Sequence, residues 1–167
     1  MIIRRLTGVD ASFYQALRLR ALQEHPESFG RSYNDEKDIP ITDIATRIDE
    51  GYPYRVSLGA FIEGKMCGML GIGFEQHEKR RHRCHLGGMY VASENRGQGL
   101  GRQLLDTALT HIREREGVEI VILAVTVGNT PARTLYRSVG FATWGVDPAY
   151  IRVGERDYDI EWMALRL

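Results

Sequence analysis

Three glycines in five positions, Gly97, Gly99 and Gly101, lie between Arg96 and Arg102. With Gln98 and Leu100 they form a segment that runs from the strand-like Met89-Tyr90-Val91 directly into a helical pattern. Glycine in a helix costs roughly 1 kcal/mol relative to alanine, so three of them at a helix start need a reason. One reason is close approach of a ligand: without Cβ atoms, successive N–H groups can converge on one anion at the positive end of the helix. Dipole attraction contributes about 0.3–1 kcal/mol and each charge-assisted hydrogen bond roughly 1.5–3 kcal/mol, enough together to hold a diphosphate without a lysine. The competing account is a glycine-rich turn with no ligand.

Two other glycine loops are excluded. A Walker loop ends in Gly-Lys-Ser/Thr, whereas Gly101 is followed by Arg102-Gln103. A dinucleotide fingerprint belongs to an early βαβ unit, whereas this loop follows three antiparallel-looking strands with a different glycine spacing. The basic run Lys79-Arg80-Arg81-His82-Arg83 is short and reads as a solvated hairpin turn. Acidic and basic residues balance at 22 each, without the basic excess of a nucleic-acid binder. Cys67 and Cys84 sit in apolar runs, spaced for neither a metal site nor a redox pair, and are expected to be buried thiols. No metal is expected.

The elements that must position the loop follow from periodicity. Met1–Leu6 reads as a strand. Asp10 is the expected N-cap of a helix whose apolar face includes Phe13, Leu17 and Leu22 and which Pro26 stops. A polar loop over 27–38 leads to a second helix at about 41–49. Strands are expected at 55–62 and 66–74, joined by the turn Glu63-Gly64-Lys65, and at about 83–92. A helix over 99–116 follows, with Leu100, Leu104, Leu105, Ala108, Leu109 and Ile112 inward. The nearly all-apolar 118–127 is a strand buried on both faces. A short helix over 131–139 ends at Gly140, and strands at 141–146 and 158–167 complete the chain. The expected class is α/β (α+β): a mixed, mostly antiparallel sheet of about seven strands flanked by helices, in one domain over 1–167.

Arg96-x-x-Gly99-x-Gly101 after Met89-Tyr90-Val91 resembles the acetyl-CoA signature of the GCN5-related N-acetyltransferase (GNAT) superfamily. Asn129-Thr-Pro-Ala132-Arg-Thr-Leu135-Tyr136 followed by Gly140-Phe141 is similar to that family's second signature. The two are separated by one helix and one strand, as in the family, and the likeness covers the chain from about residue 54 onward.

The resemblance implies a fold and roles. Backbone N–H groups from Gln98 to Gly101 would hold the pyrophosphate of acetyl-CoA, with Arg96, Gly97, Leu100 and Arg102 around it. Met89, Tyr90 and Val91 would pair with the pantetheine arm and offer an N–H to the thioester carbonyl. Asn129 matches a pantetheine contact, or serves as a turn residue before a Thr130 cap. Tyr136 matches the general acid for the leaving thiolate, its other reading being a core aromatic beside Leu135 and Val139. The amine would attack directly in a ternary complex. His82, His85, Glu94 and Glu161 are candidate bases, none singled out by spacing.

The acceptor is expected to be a primary amine of a small molecule or peptide, in a pocket shaped by residues 11–49 and by a loop over 147–158. The stretch Glu24-His-Pro-Glu-Ser-Phe-Gly-Arg31 looks like one found in small-molecule members, and Glu27, Glu36 and Asp147 are candidates to attract a cationic amine. A non-catalytic acyl-CoA-binding module is the rival, against which Tyr136 argues. With no run of 18 apolar residues and no signal-like N-terminus, no membrane partner and a cytoplasmic location are expected. A homodimer is one option for the oligomeric state.

Overall fold

Apolar periodicity sorts the chain into one seven-stranded sheet with helices on both faces. A computed structural model describes residues 1–167. The strands are β1 (Ile2–Arg5), β2 (Arg55–Ile62), β3 (Lys65–Phe74), β4 (Arg83–Val91), β5 (Ile120–Thr126), β6 (Ala142–Val153) and β7 (Arg156–Arg166), in the spatial order β1-β2-β3-β4-β5-β7-β6. The helices are α1 (Ala11–Glu24), α2 (Tyr33–Glu36), α3 (Ile41–Gly51), α4 (Leu100–Arg113) and α5 (Thr130–Ser138).

In α4 the leucines and their companions at 100, 104, 105, 108, 109 and 112 form a helical stripe, all buried. They pack on the β-sheet residues Leu70, Ile72, Leu86, Val121 and Leu123. Burying each such leucine is worth about 1.5–3 kcal/mol, so α4 is held firmly where its N-terminus meets β4. On the opposite face, Leu17, Ala21 and Leu22 of α1 pack with Met69, Tyr90 and Phe29. Ile44 and Ile48 of α3 pack with Leu6 and Phe61. Both cysteines are buried and free, and burial pushes the Cys84 thiol up to about 12.

Only β4 and β5 run parallel, and their register covers just Arg83↔Ile120 to His85↔Ile122. Beyond these pairs β4 bonds only β3, and β5 only β7. The two facing edges at the centre of the sheet are therefore open. β4 also carries a bulge: Met69 faces Tyr90 while Gly71 faces Gly87, so β4 spends one residue more than β3. Gly88, at φ 63°, supplies the left-handed turn that the bulge needs.

Several expectations are corrected. Asp10 holds the expected N-cap position of α1, but its carboxylate takes the Thr7 N–H at 3.0 Å and a fork from Arg4 in place of a bond to the N–H groups of α1. Phe13 is half exposed, stacked edge-on at 6.5 Å to Phe61. A short α2 occupies part of the expected 27–38 loop. Gly99 is not helical: it caps α4 at φ 78°, and the helix ends at Arg113 instead of 116. The largest difference is β6, which continues to Val153 and turns directly into β7. The expected 147–158 loop is thus mostly hairpin. Pro148 obscures the strand pattern in sequence, and an irregularity between Asp147 and Ile151, with Ala149 at φ 53°, accommodates it.

Candidate active site

A cavity of about 850 Å³ opens where the β4–β5 ladder stops. Its walls are Met89, Tyr90 and Val91 of β4, the loop from Asn95 to Arg102, and Thr126–Asn129 after β5. Pro131, Ala132, Leu135 and Tyr136 of α5, the segment His25–Phe29 after α1, and Arg156 and Tyr158 of β7 complete them. Every residue that the resemblance assigns to the cofactor or to the general acid lines this cavity except Gln98.

The loop glycines have separate local causes. Gly97 and Gly99 take φ of 76° and 78°, a region costly to other residues by about 1–2 kcal/mol. Gly101 lies in the first turn of α4, where a Cβ would come within 3.3 Å of Met89 Cε and 3.5 Å of Leu135 Cδ2. Together they let α4 begin against β4 and α5. The N–H groups from Gly97 to Arg102 donate to no backbone carbonyl, and no side chain accepts from them. That is a run of donors at the positive end of a 14-residue helix, beside a cavity.

The two arginines of the loop are tied into the protein. Arg96 donates from Nε to the Val91 carbonyl at 2.9 Å and approaches His25 Nε2 at 3.0 Å. Arg102 holds Asp106 through Nε at 2.8 and 2.9 Å. The base of the loop is anchored to α1: Arg20 forks onto Glu94 at 2.7 and 2.8 Å and also holds Glu24, which accepts the Tyr90 hydroxyl at 2.6 Å. Loss of solvation, then Glu24, pushes the Tyr90 phenol up to about 12.

Asn129 is itself the N-cap of α5, its side chain accepting from the Ala132 N–H at 3.3 Å, so Thr130 is not the cap. Tyr136 is buried, with its ring edge-on to Phe141 at 6.0 Å. Its hydroxyl reaches Met89 Sδ at 3.5 Å. Burial raises the phenol to about 12, so it stays protonated at neutral pH.

None of the four candidate bases lines the cavity. His85 pairs with Glu75 at 3.2 Å. Glu94 is held by Arg20, which drops its carboxyl to about 2. Glu161 is buried between Arg133, Arg137 and Thr143. His82 has its carbonyl taken by the Glu119 and Ile120 N–H groups. The cavity has His25 and Glu27 instead, 3.4 Å apart. No spacing marks His25 in the sequence, because only the end of α1 brings it there. The backbone of Glu27 is fixed by the Thr126 hydroxyl at 2.7 Å. Glu36 does not stand free, since it is forked by Arg18.

The sequence profile of the acetyltransferase (GNAT) family matches residues 16–141. The chain belongs to that family. Among curated proteins this GNAT chain is similar to a mycothiol acetyltransferase of Thermobispora bispora, with 32% identity over 150 residues covering 87% of this chain and 47% of the relative. It therefore spans about half the length of the curated relatives it matches. Among solved structures, a GNAT-family acetyltransferase from Streptococcus pneumoniae superposes with a TM-score of 0.91 at 22% identity, covering 99% of both chains. A Salmonella typhimurium protein solved with its cofactor acetyl-CoA gives a TM-score of 0.85 at 19% identity, over 99% of this chain and 93% of that one. Both show a common fold.

Proposed function

We propose that this GNAT chain transfers the acetyl group of acetyl-CoA to a primary amine of a small molecule or peptide. The observation that carries the reading is the run of N–H groups from Gly97 to Arg102, without protein acceptors, beside a cavity that opens between the unpaired edges of β4 and β5. A diphosphate matches the first feature and an extended amide-bearing arm the second. The Salmonella protein with acetyl-CoA supports the same ligand. Acetyl-CoA, when bound, supplies an activated thioester.

The residues then divide the work. The start of α4 binds the diphosphate, and the β4 edge from Met89 to Val91 offers backbone partners to the arm, including an N–H for the thioester carbonyl. Asn129, as cap of α5, keeps α5 and its Tyr136 at the cavity wall. Tyr136 holds a proton at its hydroxyl and gives it to the departing thiolate. Arg96 braces Val91 through its carbonyl, which keeps the β4 edge extended where the arm would lie. We take the reaction to be cytoplasmic, where acetyl-CoA is available; no helix is long and apolar enough to cross a membrane.

Calorimetric titration with acetyl-CoA, followed by thiol release over a panel of amino acids, polyamines, aminoglycosides and peptide N-termini, tests the proposal. Stoichiometric binding and amine-dependent release support it. Binding without release for any amine reduces the chain to a binding module, and no binding overturns the reading.

A further inference from the structure

Arg18, in the middle of α1, is fixed on two sides and free on a third. Its Nε and Nη2 donate to Glu36 Oε2 and Oε1 at 3.0 and 2.9 Å. Its guanidinium lies over the Phe29 ring, 4.7 Å from the centroid. Nη1 donates to no protein atom. That nitrogen is 3.9 Å from the point a Cβ on Gly88 would occupy. Gly88 is the bulge residue of β4, immediately before Met89, where the proposed reaction needs its thioester.

Arg18 and Glu36 line a second cavity of about 310 Å³, while Phe29 and Met89 line the first. Phe29 thus belongs to the wall of one cavity and stacks on a residue of the other. In the second cavity Arg18, Arg31, Arg47 and Arg55 face the single acid Glu36, so its potential favours an anion. The Arg18–Glu36 pair is neutral as a unit. It contributes a directed donor in place of net charge, with the flanking arginines supplying the attraction.

We propose that Arg18 is a specificity-determining residue for the acceptor, receiving a carboxylate on the carbon that bears the reacting amine, so that the substrates are small α-amino acids. The inference rests on the acetyl-transfer reading above. An attacking amine must come within about 3–3.5 Å of the carbonyl carbon. In an α-amino acid the amine and the carboxylate share one carbon, so an amine at the bulge puts its carboxylate close to Gly88. Nη1 is the side-chain donor nearest that point, and a charge-assisted bond of about 2.7–2.9 Å spans what remains. A side chain at position 88 would occupy this space, and glycine leaves it clear. Stacking on Phe29 and the fork to Glu36 hold the guanidinium so that little freedom is lost on binding.

The test compares matched pairs: L-leucine with isoamylamine, L-phenylalanine with phenethylamine, and L-methionine with 3-(methylthio)propylamine. Thiol release from acetyl-CoA is measured for wild type, Arg18→Gln, and Arg18→Gln/Glu36→Gln, which leaves no carboxylate without its partner. Rates are expressed per neutral amine. Wild type is expected to prefer the amino acid of a pair by about ten- to a hundredfold in kcat/KM, the range of one charge-assisted hydrogen bond. Both variants should lose that preference while turning over the bare amine within about threefold of wild type. Acetyl-CoA affinity, titrated separately, should be unchanged. A wild type that prefers the bare amine, or variants that lose both members of a pair equally, overturns the assignment. So does the absence of release from every amino acid by a protein that binds acetyl-CoA. Failure of the wild type to bind acetyl-CoA overturns the underlying reading instead.

Discussion

The Tyr136 hydroxyl lies 3.5 Å from the Met89 sulfur and has no other protein partner. A thioether is a weak acceptor, so the proton is not committed to the structure. Tyr136→Phe removes that proton and keeps the ring packed against Phe141. General acid catalysis contributes about 10²–10⁴-fold, and since a thiolate leaves partly unaided, a fall in kcat near 10² is expected. Acetyl-CoA affinity and melting temperature should stay near wild type. Burial holds the phenol at about 12, above its ordinary value of 10. The kcat profile should therefore show no descending limb from this group below pH 11. A variant with normal kcat returns Tyr136 to a packing role.

The cofactor loop separates strain from blockage. Gly97 sits at φ 76° with nothing within 4 Å of a Cβ, so Gly97→Ala should cost roughly 1 kcal/mol of stability through the backbone alone. Its effect on acetyl-CoA affinity should be small. Gly101→Glu places a carboxylate beside N–H groups assigned to a diphosphate, with only the flexible ends of Met89 and Leu135 to displace. Binding should be lost in a folded protein. Calorimetry on both variants reads the contrast, and retained affinity in Gly101→Glu would sink the diphosphate assignment.

The parts legible in the sequence were those set by short-range patterns. The α4 stripe, the run of glycines and the Asn129–Tyr136 segment all depend on spacing within one element or turn, and the glycines, that segment and the first stripe residue, Leu100, meet at one cavity. What was not legible depends on long-range placement. His25 reaches the cavity because α1 ends beside β4, and Glu161 is excluded from it because β7 turns it toward the arginines of α5. The extension of β6 was hidden by Pro148, which only the bulge tolerates. Phe13 read as core on periodicity, yet it lies at the rim against Phe61.

Ligand linkage gives a prediction independent of turnover. A ligand that binds only the folded state stabilises it by about 2.7 kcal/mol at a hundred times its Kd. For a chain of 167 residues this corresponds to a rise in Tm of about 5–10 °C. Acetyl-CoA at that excess should produce it, and ATP or NAD at equal concentration should produce much less. Thermal denaturation followed by circular dichroism measures the shifts. A larger shift with either nucleotide would contradict the acetyl-CoA reading.

The Arg4–Asp10 fork yields a prediction for the fold itself. Asp10 is only 3% exposed, and its carboxylate accepts from Arg4 Nη1 and Nη2 at 2.8 and 2.7 Å and from the Thr7 N–H at 3.0 Å. Asp10→Asn keeps the shape and loses the charge. Arg4 is partly exposed, so the cost falls below that of a fully buried pair, at about 1.5–3 kcal/mol near neutral pH. The Arg4 fork holds the Asp10 carboxyl below its ordinary value of 3.8. A group depressed in this way contributes its full stability above the unfolded value and loses it as pH falls through the folded one. The gap between wild type and variant should therefore be constant from pH 7 to about 5, begin to narrow near the unfolded value of 3.8, and go on closing as pH falls through the lower folded value, where a protonated Asp10 resembles the asparagine. Urea denaturation at pH 7, 5 and 3 gives the three differences. A gap that persists undiminished at pH 3 would assign the loss to shape or to the unfolded chain and remove the charge from the explanation.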